Sequence, residues 1–440
     1  MRCDVKADDA LSAEDVARLM TDCALRPGEE RIALAVSGGP DSMALAFAVK
    51  RWSEQNHYPS PLAFIVDHGL REESSREASE VKLRLQALGV GAEILRWEHA
   101  AMTSRLHSEA RKARYRLLLE ACERHGFSVL LFAHQREDQA ETILMRFSKG
   151  TGLDGLAGIP AQNVMRGVRI MRPFLTVPKE RLIATCAAAN IPFVTDPSNR
   201  LEKFARGRMR RVLPLLAEDG LTVERLIDFG VRAAEARDAL DHYTGEFLVK
   251  AGYQTEFGVI AIDKAALLAA PRAIALRGLS LSLQAIHRED YAPLHASLSL
   301  LFDAIKDEDI LPPRTLNGCL ISQSKKQVMM MREYAGITET ALLKAGESVI
   351  WDGRWQVTLT AEAPQGYRVQ ALGNPPHDVL DRLSPTLRHK VPQGRIRAAL
   401  PALWQDDEIT VIPFLHKNAE VRVMLLNAST KFGELKRPRY

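Results

Sequence analysis

The sequence predicts an α/β protein, in which a doubly wound, mostly parallel sheet is followed by a mostly helical middle domain and a small β-containing C-terminal domain. Short apolar runs alternate with helical patterns in the first half of the chain, as expected for parallel strands covered on both faces. From about Val212 the pattern becomes helical and rich in Leu, Ala and Arg, and strand-like stretches return towards the end.

The individual elements follow from these patterns. Strands are predicted at residues 31–36, 61–67, 92–97 and 129–134. Helices are predicted at residues 42–54, 73–88, 104–125 and 138–147, and further helices within 221–250 and 264–305. Strands are expected again within residues 315–333, 355–362, 408–415 and 421–427. We place domain boundaries near 211 and 336, so that the predicted domains are residues 1–211, 212–335 and 336–440.

The composition is that of a globular protein, with 440 residues, 46% of them hydrophobic and 26% charged. No apolar run approaches the length of a membrane span and the acidic first residues do not form a secretory signal, so we expect a cytoplasmic protein without a membrane partner. The cysteines form no CxxC pair and are expected to be buried thiols, not a disulfide framework or a zinc site. They are Cys3, Cys23, Cys122, Cys186 and Cys319.

A glycine-rich loop lies between the first predicted strand and its helix, and consists of Ser37, Gly38, Gly39, Pro40, Asp41 and Ser42. Its glycines allow a tight turn whose N–H groups approach a ligand closely, and the helix N-terminus favours phosphate. The two serines add hydroxyl donors, and Asp41 suits a site in which Mg²⁺ lies between it and phosphate. The loop matches neither Walker A nor GxGxxG. The alternative is an ordinary Gly-Gly turn with Ser and Asp as caps.

Acidic residues follow two of the other strands. Asp67 ends the second strand at the edge where open α/β sheets bind ligands, and it either contacts a nucleotide or caps a turn. After the fourth strand, Asp138, Glu141 and Thr142 recur at helical spacing behind His134. Carboxylates there can hold Mg²⁺, or orient and deprotonate an ammonium group. Alternatively, these acids complement the positive end of the helix dipole, a role that we favour for Glu137. The alternative for His134 is a partially buried histidine with a structural role.

Glycines recur from Gly150 and Gly152 to Gly158, and predict a loop and not a regular element, mobile enough to close over a substrate. Basic residues concentrate in two segments, 105–116 and 200–211. In segment 105–116, Arg111 and Arg114 share a helix face with Tyr115, and Tyr115 is either a stacking platform or part of the core. Segment 200–211 contains Arg206 and Arg208. Either cluster alone fits a solvated helix face, but together beside a nucleotide site they favour RNA contact.

These motifs resemble those of known proteins. The segment SGGPDS resembles the SGGxDS pyrophosphate loop of the N-type ATP pyrophosphatases, also called PP-loop proteins, which have the adenine nucleotide α-hydrolase-like fold. Over roughly residues 30–214 the order and spacing of further motifs resemble tRNA(Ile)-lysidine synthetases. These motifs are Val66–Arg71, Glu109–Tyr115, Ala133–Thr142, Lys149–Ile159, Arg172-Pro173 and Asp196–Asn199. A weaker likeness to that family's C-terminal domain runs from Val391 to Trp404.

The resemblance implies that ATP adenylates the C2 oxygen of the wobble cytidine in an isoleucine tRNA with a CAU anticodon, and that free lysine then replaces AMP to give lysidine. It implies ATP as substrate, Mg²⁺ as cofactor with Asp41 as its ligand, and Asp41 and Asp138 as catalytic residues. The loop and Asp67 would bind ATP, and residues 336–440 would bind tRNA. Substrate contacts would come from His134, Glu141, Thr142, Gly150 and Gly152, and tRNA contacts from Arg111, Arg114, Arg206 and Arg208. A monomer and a homodimer are both compatible with the sequence.

The chain departs from the family pattern at Glu137, where the family usually has Asp, at Phe174, usually Leu, and at Gly207, commonly Asn. One rival function is a tRNA thiolase, or another base-adenylating enzyme, on the same loop. Thiolases need cysteines, often as CxxC, or an iron–sulfur cluster, and the scattered cysteines disfavour that function. A second rival is a non-catalytic RNA module that binds ATP without releasing pyrophosphate. The acids at 41 and 138 argue against it.

Overall fold

The computed structural model describes residues 9–25, 30–69, 73–99, 106–194, 205–287, 292–363, 366–383, 394–414 and 421–426. Contacts between Cα atoms divide the chain into two compact units, the first ending at Arg237 and the second beginning at Asp238. The finer division into three domains at about 211 and 336 stays a prediction.

The first unit contains a six-stranded sheet. Its strands are β1 (Ile32–Ala35), β2 (Leu62–Asp67), β3 (Gly91–Arg96), β4 (Val129–Phe132), β5 (Gln162–Met165) and β6 (Val168–Met171). Their order is β3-β2-β1-β4-β6-β5, and every pair is parallel except β5 with β6. Ala33 of β1 pairs with Leu62 on one side and Leu130 on the other. Since the chain passes from β1 to β2 and β3 and then crosses to β4, a topological switch point lies between β1 and β4.

Helices cover both faces of this sheet. They are α1 (Ala13–Asp22), α2 (Pro40–Gln55), α3 (Ser74–Ala87), α4 (Leu106–His125), α5 (Arg136–Phe147), α6 (Leu153–Leu156), α7 (Lys179–Ala188) and α8 (Ala205–Glu218). Ile32 and Leu34 pack in a core with residues of α1, α2, α3 and α7. Ala33 and Ala35 point to the other face and pack with residues of α4. The predicted doubly wound α/β fold is confirmed, and the continuous burial of β1 explains why its sequence is entirely apolar.

The division between the units falls within a long helix, α9 (Val223–Ala251). The second unit continues with β7 (Gly252–Gln254), β8 (Ile260–Asp263), α10 (Lys264–Ala269), α11 (Arg272–His287), α12 (His295–Asp307), β9 (Arg314–Leu316), β10 (Cys319–Gln323) and β11 (Gln327–Arg332). The strands form an antiparallel sheet in the order β7-β8-β11-β10-β9. Residues of α11 and α12 share one hydrophobic core with this sheet. The mostly helical middle region is thus confirmed, and its β-like stretch forms a sheet.

Short strands dominate the rest of the second unit. After a 3-10 turn (Tyr334–Gly336) come β12 (Ala341–Leu343), β13 (Ser348–Trp351), β14 (Trp355–Leu359), β15 (Tyr367–Ala371), α13 (His377–Leu383), α14 (Arg395–Ala398), β16 (Pro401–Gln405), β17 (Glu408–Val411) and β18 (Val421–Leu425). The strands form two antiparallel sheets, β12-β15-β16-β17 and β13-β14-β18. One core joins them around Trp351 and Trp355, so the predicted β-containing C-terminal region is confirmed.

Two expectations from composition can be compared with this fold. Cys23, Cys122, Cys186 and Cys319 are buried free thiols, as predicted, while Cys3 lies outside the described residues. Among the helices of the described ranges, none is long and apolar enough to cross a membrane.

Candidate active site

The loop Ser37–Ser42 connects β1 to α2 at the switch point of the sheet. Gly38 has a left-handed backbone, with φ +82°, and a Cβ there would lie 2.3 Å from Cγ2 of Val81. A side chain at Gly38 is therefore excluded by both strain and space. Pro40 begins α2, where a missing N–H costs nothing, and Gly39 precedes it as the N-cap. The sequence-predicted phosphate turn is thus built at the N-terminus of a 16-residue helix.

The two serines of the loop differ in their surroundings. Ser42 is buried, and its hydroxyl donates to the carbonyl of Gly39 at 3.0 Å and accepts from the N–H of Ser37 at 3.2 Å. The hydroxyl of Ser42 therefore holds the shape of the loop. Ser37 is exposed at the mouth of the loop, where its own hydroxyl is 3.4 Å from that of Ser42. Of the two, Ser37 is the better placed to donate to a ligand.

A cavity of about 400 Å³ opens beside this loop, at the carboxyl ends of β1 and β2. Its floor is apolar and includes Phe64, Val81 and Leu118, while Arg114 and His68 supply polar groups. The lining thus combines apolar and polar residues, and it lies at a switch point, where α/β proteins bind small ligands. Its contact with the phosphate loop fits the base and sugar of a nucleotide.

Asp67 lines the cavity, but its carboxylate is used within the protein. It accepts hydrogen bonds from the N–H of Gly69 at 3.0 Å, the hydroxyl of Ser74 at 2.7 Å and the hydroxyl of Ser75 at 2.6 Å. Burial raises the pKa of this carboxyl, but the hydrogen bonds from Ser75, Ser74 and Gly69 outweigh it, so the pKa lies below its ordinary value. Of the two roles that the sequence left open, the geometry favours the turn cap: Asp67 ties the end of β2 to the start of α3 beneath the cavity.

Asp41 lies in the first turn of α2 and is largely enclosed. Burial is the main cause that raises its pKa to about 6, with Asp138 adding to the rise and Lys179 and Arg210 opposing it. Its Oδ1 atom is buried and accepts no hydrogen bond. A buried carboxylate oxygen without a donor fits a cation ligand, and carboxylates are the protein groups that Mg²⁺ prefers. Asp41 is thus a suitable ligand for Mg²⁺, and within the described ranges no group of three or more His, Cys, Asp or Glu is arranged to hold a metal.

The acidic residues of α5 lie near Asp41, each in a different environment. Asp138 forms a capping box, in which its Oδ2 accepts from the N–H of Gln135 at 3.2 Å. Its Oδ1 is 3.9 Å from Nη2 of Arg210. Glu141 is almost fully buried and accepts from Nε of Arg210 at 2.5 Å. The half-buried Thr142 follows it in the helix. The structure thus brings together the acids that the sequence grouped, and pairs one of them with an arginine.

Two contributors to this cluster were missed or misplaced by sequence reasoning. Arg210, assigned with its neighbours to RNA contact, instead forms the ion pair with Glu141, because α8 packs against α5. Lys179 was not identified, because it stands alone after Pro178 and belongs to none of the motifs. Glu137 accepts from the N–H of Lys179 at 2.9 Å, so the favoured structural role of Glu137 is confirmed, although the helix that it caps is α7.

Basic and aromatic side chains stack beside the cavity. The ring of Tyr115 stacks on Phe132 with centroids 5.4 Å apart, and His134 stacks on the other end of Phe132 at 5.7 Å. The guanidinium of Arg111 lies 5.2 Å over Tyr115, and that of Arg114 lies 5.4 Å over Phe132. Tyr115 packs against the core and is not an open platform, whereas Arg111 is exposed.

The glycine-rich segment after α5 is more regular than predicted. Gly152 is the N-cap of the short helix α6, so the prediction of a purely irregular loop is wrong. Gly150 has a φ of +68°, which ends α5 with a tight turn. Arg146 donates to the carbonyls of Gly155 at 3.0 Å and Gly158 at 2.7 Å. Both bonds come from the single side chain of Arg146 on α5, and the spacing of the glycines alone does not reveal them.

The remaining sequence-predicted residues lie apart from this cluster or outside the described part of the chain. Arg208 is exposed on α8. The backbone of Arg206 belongs to α8, but its side chain is outside the described part of the chain. Residues 200–204 of the second basic segment and the motif Asp196–Asn199 also lie outside the described residues. In the C-terminal motif, Leu400 and Leu403 are core residues, and Trp404 lines a cavity of about 650 Å³ within the second unit; Val391 and Pro392 lie outside the described residues.

Comparison with known proteins agrees with the geometry. Residues 11–216 match the family model described as a PP-loop domain. Fold and site therefore define a PP-loop protein. A tRNA(Ile)-lysidine synthase of Wolbachia pipientis wMel is 31% identical over 401 residues, covering 89% of this chain and 90% of that protein. The enzyme of the same name from Methylobacterium nodulans is 42% identical over 63% of this chain and 81% of that protein. The chain belongs to the tRNA(Ile)-lysidine synthase family.

A solved structure of a U34-tRNA thiolase from Methanococcus maripaludis, with its [4Fe-4S] cluster, is also similar. It covers 51% of this chain and 78% of that protein at a TM-score of 0.43 and 16% sequence identity. That similarity is too low to carry an argument about this chain.

Asp67→Asn distinguishes the cap from a nucleotide contact. If the carboxylate caps the turn after β2 and ties it to the serines of α3, the variant loses roughly 1–3 kcal/mol of stability even without nucleotide, because hydrogen bonds to a buried charge are lost. Since the folded-state pKa lies below the unfolded value, this stabilisation is present at neutral pH and is lost only as the pH falls through the folded pKa. Urea unfolding at pH 7 and at acid pH measures both effects.

Glu73→Gln is the matched control, because Glu73 is exposed at the same helix start and makes no capping hydrogen bond. If Asp67→Asn unfolded like the wild type but bound ATP poorly, Asp67 would be a nucleotide ligand and not a cap.

Proposed function

We propose that this chain joins free lysine to C2 of the wobble cytidine of an isoleucine tRNA with a CAU anticodon, in an ATP-dependent reaction that releases AMP and pyrophosphate. The observation that carries the proposal is the meeting of a phosphate loop with the carboxylates of Asp41 and Asp138 at one edge of the sheet, in a chain of this family. Phosphate, cation and amine can all be bound there.

ATP would lie with its phosphates at the N-terminus of α2 and its base and sugar in the cavity beside Val81 and Leu118. The loop has no Walker lysine, and Lys179, whose charge acts on Asp41, supplies a cation from α7. When bound to Asp41, Mg²⁺ would offset the charge that develops on the leaving pyrophosphate. The exposed Ser37 would donate to a phosphate oxygen.

The chemistry has two steps. The C2 oxygen of cytidine attacks the α-phosphorus, the bond to pyrophosphate breaks, and the base carries AMP on its oxygen. The lysine ε-amine then attacks C2, loses a proton, and the C2–O bond breaks with AMP as the leaving group. Adenylation is needed because the unactivated oxygen is a poor leaving group. Asp138 is the candidate base, because Glu141 is already bound by Arg210 while Oδ1 of Asp138 has only a distant cation.

Partners follow from the same site. The tRNA would be contacted by Arg111, Arg206 and Arg208, and by residues 336–440, while Arg114 reaches the nucleotide cavity. His134, Thr142 and the glycine segment would face the base and lysine. A single-stranded anticodon loop is a suitable target, because a base inside a duplex cannot present C2. A cytoplasmic location and either a monomer or a homodimer belong to the proposal.

The thiolase alternative is disfavoured by the cysteines. Burial raises the pKa of Cys23 to about 11 and that of Cys122 and Cys186 to about 12, so these thiols stay protonated near neutral pH. Sulfur transfer needs a thiolate or a cluster, and the described cysteines of the first unit supply neither. Iron content and a persulfide assay on the purified protein separate the two functions.

Asp138→Asn separates catalysis from capping. The asparagine oxygen can still accept from the N–H of Gln135, so the capping box survives while the charge is lost. We expect thermal stability close to that of the wild type and turnover lower by about 10²-fold or more, the scale of general acid–base catalysis.

Asp138→Ala removes both cap and charge, and should lose stability as well as turnover. Melting temperatures and pyrophosphate release measure the two effects. Near-normal turnover in Asp138→Asn would remove Asp138 from the chemistry and leave it as a cap.

The proposed function itself is tested with purified protein, ATP, radiolabelled lysine and isoleucine tRNA. Label should enter the tRNA only with ATP, and should not enter when the wobble cytidine is replaced by uridine. A methionine elongator tRNA with the same CAU anticodon should remain unlabelled, since contacts outside the anticodon must discriminate. Equal labelling of the methionine tRNA, or free replacement of lysine by ornithine or ammonia, would contradict the assignment.

A further inference from the structure

Large side chains at the end of α5 are left open to solvent beside the site. Phe147 is 65% exposed and Leu153, at the start of α6, is 39% exposed. Lys149 lies between them and is also exposed. We refer to Phe147, Lys149 and Leu153 as the rim platform. Phe147 is the aromatic member of the rim platform, and it lies next to a lysine and a glycine turn in the chain.

The segment that carries the rim platform is fixed to α5 by side chains. Gln139 makes a paired contact with the backbone of Ile159, donating to its carbonyl at 2.8 Å and accepting from its N–H at 2.5 Å. Gly158 fits against Gln139, since a Cβ there would lie 2.5 Å from its Oε1. Arg146 holds the carbonyls of Gly155 and Gly158. These contacts make the segment a fixed edge of the site.

The turn between Phe147 and Leu153 is held in the same way. The N–H of Gly150 donates to the carbonyl of Phe147 at 2.9 Å, and the hydroxyl of Thr151 donates to the carbonyl of Arg146 at 3.1 Å. A Cβ on Gly155 would lie 2.4 Å from Oγ1 of Thr151, so α6 packs directly on the turn. These contacts hold the backbone that carries the rim platform in a defined conformation.

The rim platform carries positive charge, and further arginines lie on α4 and α5. Lys149 belongs to it, and the exposed Arg111 of α4 is near enough to Arg146 to act on it electrostatically. Phe147 lies nine residues beyond Asp138 on one helix, roughly 14 Å along the axis. Proteins that bind single-stranded nucleic acids use exposed aromatic rings flanked by basic residues to stack bases. Phe147 fits that pattern, and its distance from Asp138 corresponds to a few nucleotides.

We propose that the rim platform stacks an unpaired base of the tRNA anticodon loop, next to the cytidine that enters the active site. Turning the cytidine out of its stack deprives a neighbouring base of its partner, and the ring of Phe147 replaces that partner. Lys149 and Arg111 contact the adjoining phosphates. A second copy of the chain is a weaker candidate for this surface, because two apolar side chains flanked by cations fall far short of a stable protein interface.

The inference rests on the proposed function, and its test is a binding measurement with full-length protein. The probe is the isoleucine tRNA with 2-aminopurine placed in turn at each unpaired loop position except the wobble cytidine. Phe147→Ala should weaken binding by about tenfold or more and abolish the fluorescence quenching at one position, because base stacking is lost. Phe147→Trp should restore both.

Two further variants sharpen the result. Leu83→Ala is the matched control, since Leu83 of α3 is 66% exposed and lies outside the proposed surface; its affinity should equal that of the wild type. Lys149→Ala should reduce the slope of log affinity against log salt by about 0.7–0.9, the effect of one lost phosphate contact.

The possible failures are distinguishable. If the wild type incorporates lysine but Phe147→Ala binds and quenches like Leu83→Ala, the rim platform is refuted and the function stands. If Phe147→Ala instead dissociates a dimer in sedimentation and leaves the tRNA affinity unchanged, the surface joins two copies. If the wild type binds no tRNA, both the function and the platform fall.

Discussion

The close approach of Gly38 to Val81 is the constraint on which the site depends. With φ at +82° and room for no Cβ, Gly38 lets the chain turn sharply from the buried end of β1 into α2. The N–H of Val194 donates to the carbonyl of Gly38 at 2.8 Å and holds the turn from the other side. The helix N-terminus, Asp41 and the cavity all take their positions from this turn. Any other residue there would be strained by the positive φ and would clash with the side chain of Val81, which lines the cavity.

The second organising feature is that the carboxylates near the site have different hydrogen-bond and ion-pair partners. Three of them have their partners within the protein. Asp67 accepts hydrogen bonds from two serines, Glu137 accepts from the first N–H of α7, and Glu141 pairs with Arg210. Asp41 retains a buried oxygen without a donor, and Asp138 retains an oxygen near one distant guanidinium. These different environments separate the acids that have a structural role from those that remain available for chemistry. The proposal assigns the cation and the amine to those two for this reason.

The sequence predicted the parts of this fold that arise from local pattern. The strands β1 to β4 have apolar runs that a buried parallel sheet requires, and the loop Ser37–Ser42 is readable from its glycines. The strands β5 and β6 were missed, because QNVM and VRIM are only four residues long, and they form a hairpin at the edge of the sheet. Their place in the sheet depends on the pairing of β6 with β4. It also depends on Arg172, directly after β6, which donates to the carbonyl of Pro160 and to Oδ1 of Asn163.

The sequence predicted which acidic residues belong to the site, but not which side chains they contact. Spacing placed Asp138 and Glu141 on one helix face, yet nothing local shows that Arg210, on a helix that packs later, neutralises one of them. Asp67 illustrates the same limit, since its cap depends on serines that fold back over a loop. The sequence left the role of Tyr115 open between a stacking platform and a core residue, and the stacking of its ring on Phe132 favours the core. Long-range packing, not periodicity, decides which polar residue remains available for chemistry.

The central claim is that the oxygen of the target base is transferred to AMP. The most direct measurement uses isoleucine tRNA whose wobble cytidine carries ¹⁸O at the C2 carbonyl, incubated with the protein, ATP and lysine. The account predicts that mass spectrometry finds one ¹⁸O in each AMP released with lysidine and none in pyrophosphate, because the C2–O bond breaks after adenylation. Recovery of the label in water or pyrophosphate, with unlabelled AMP, would contradict it.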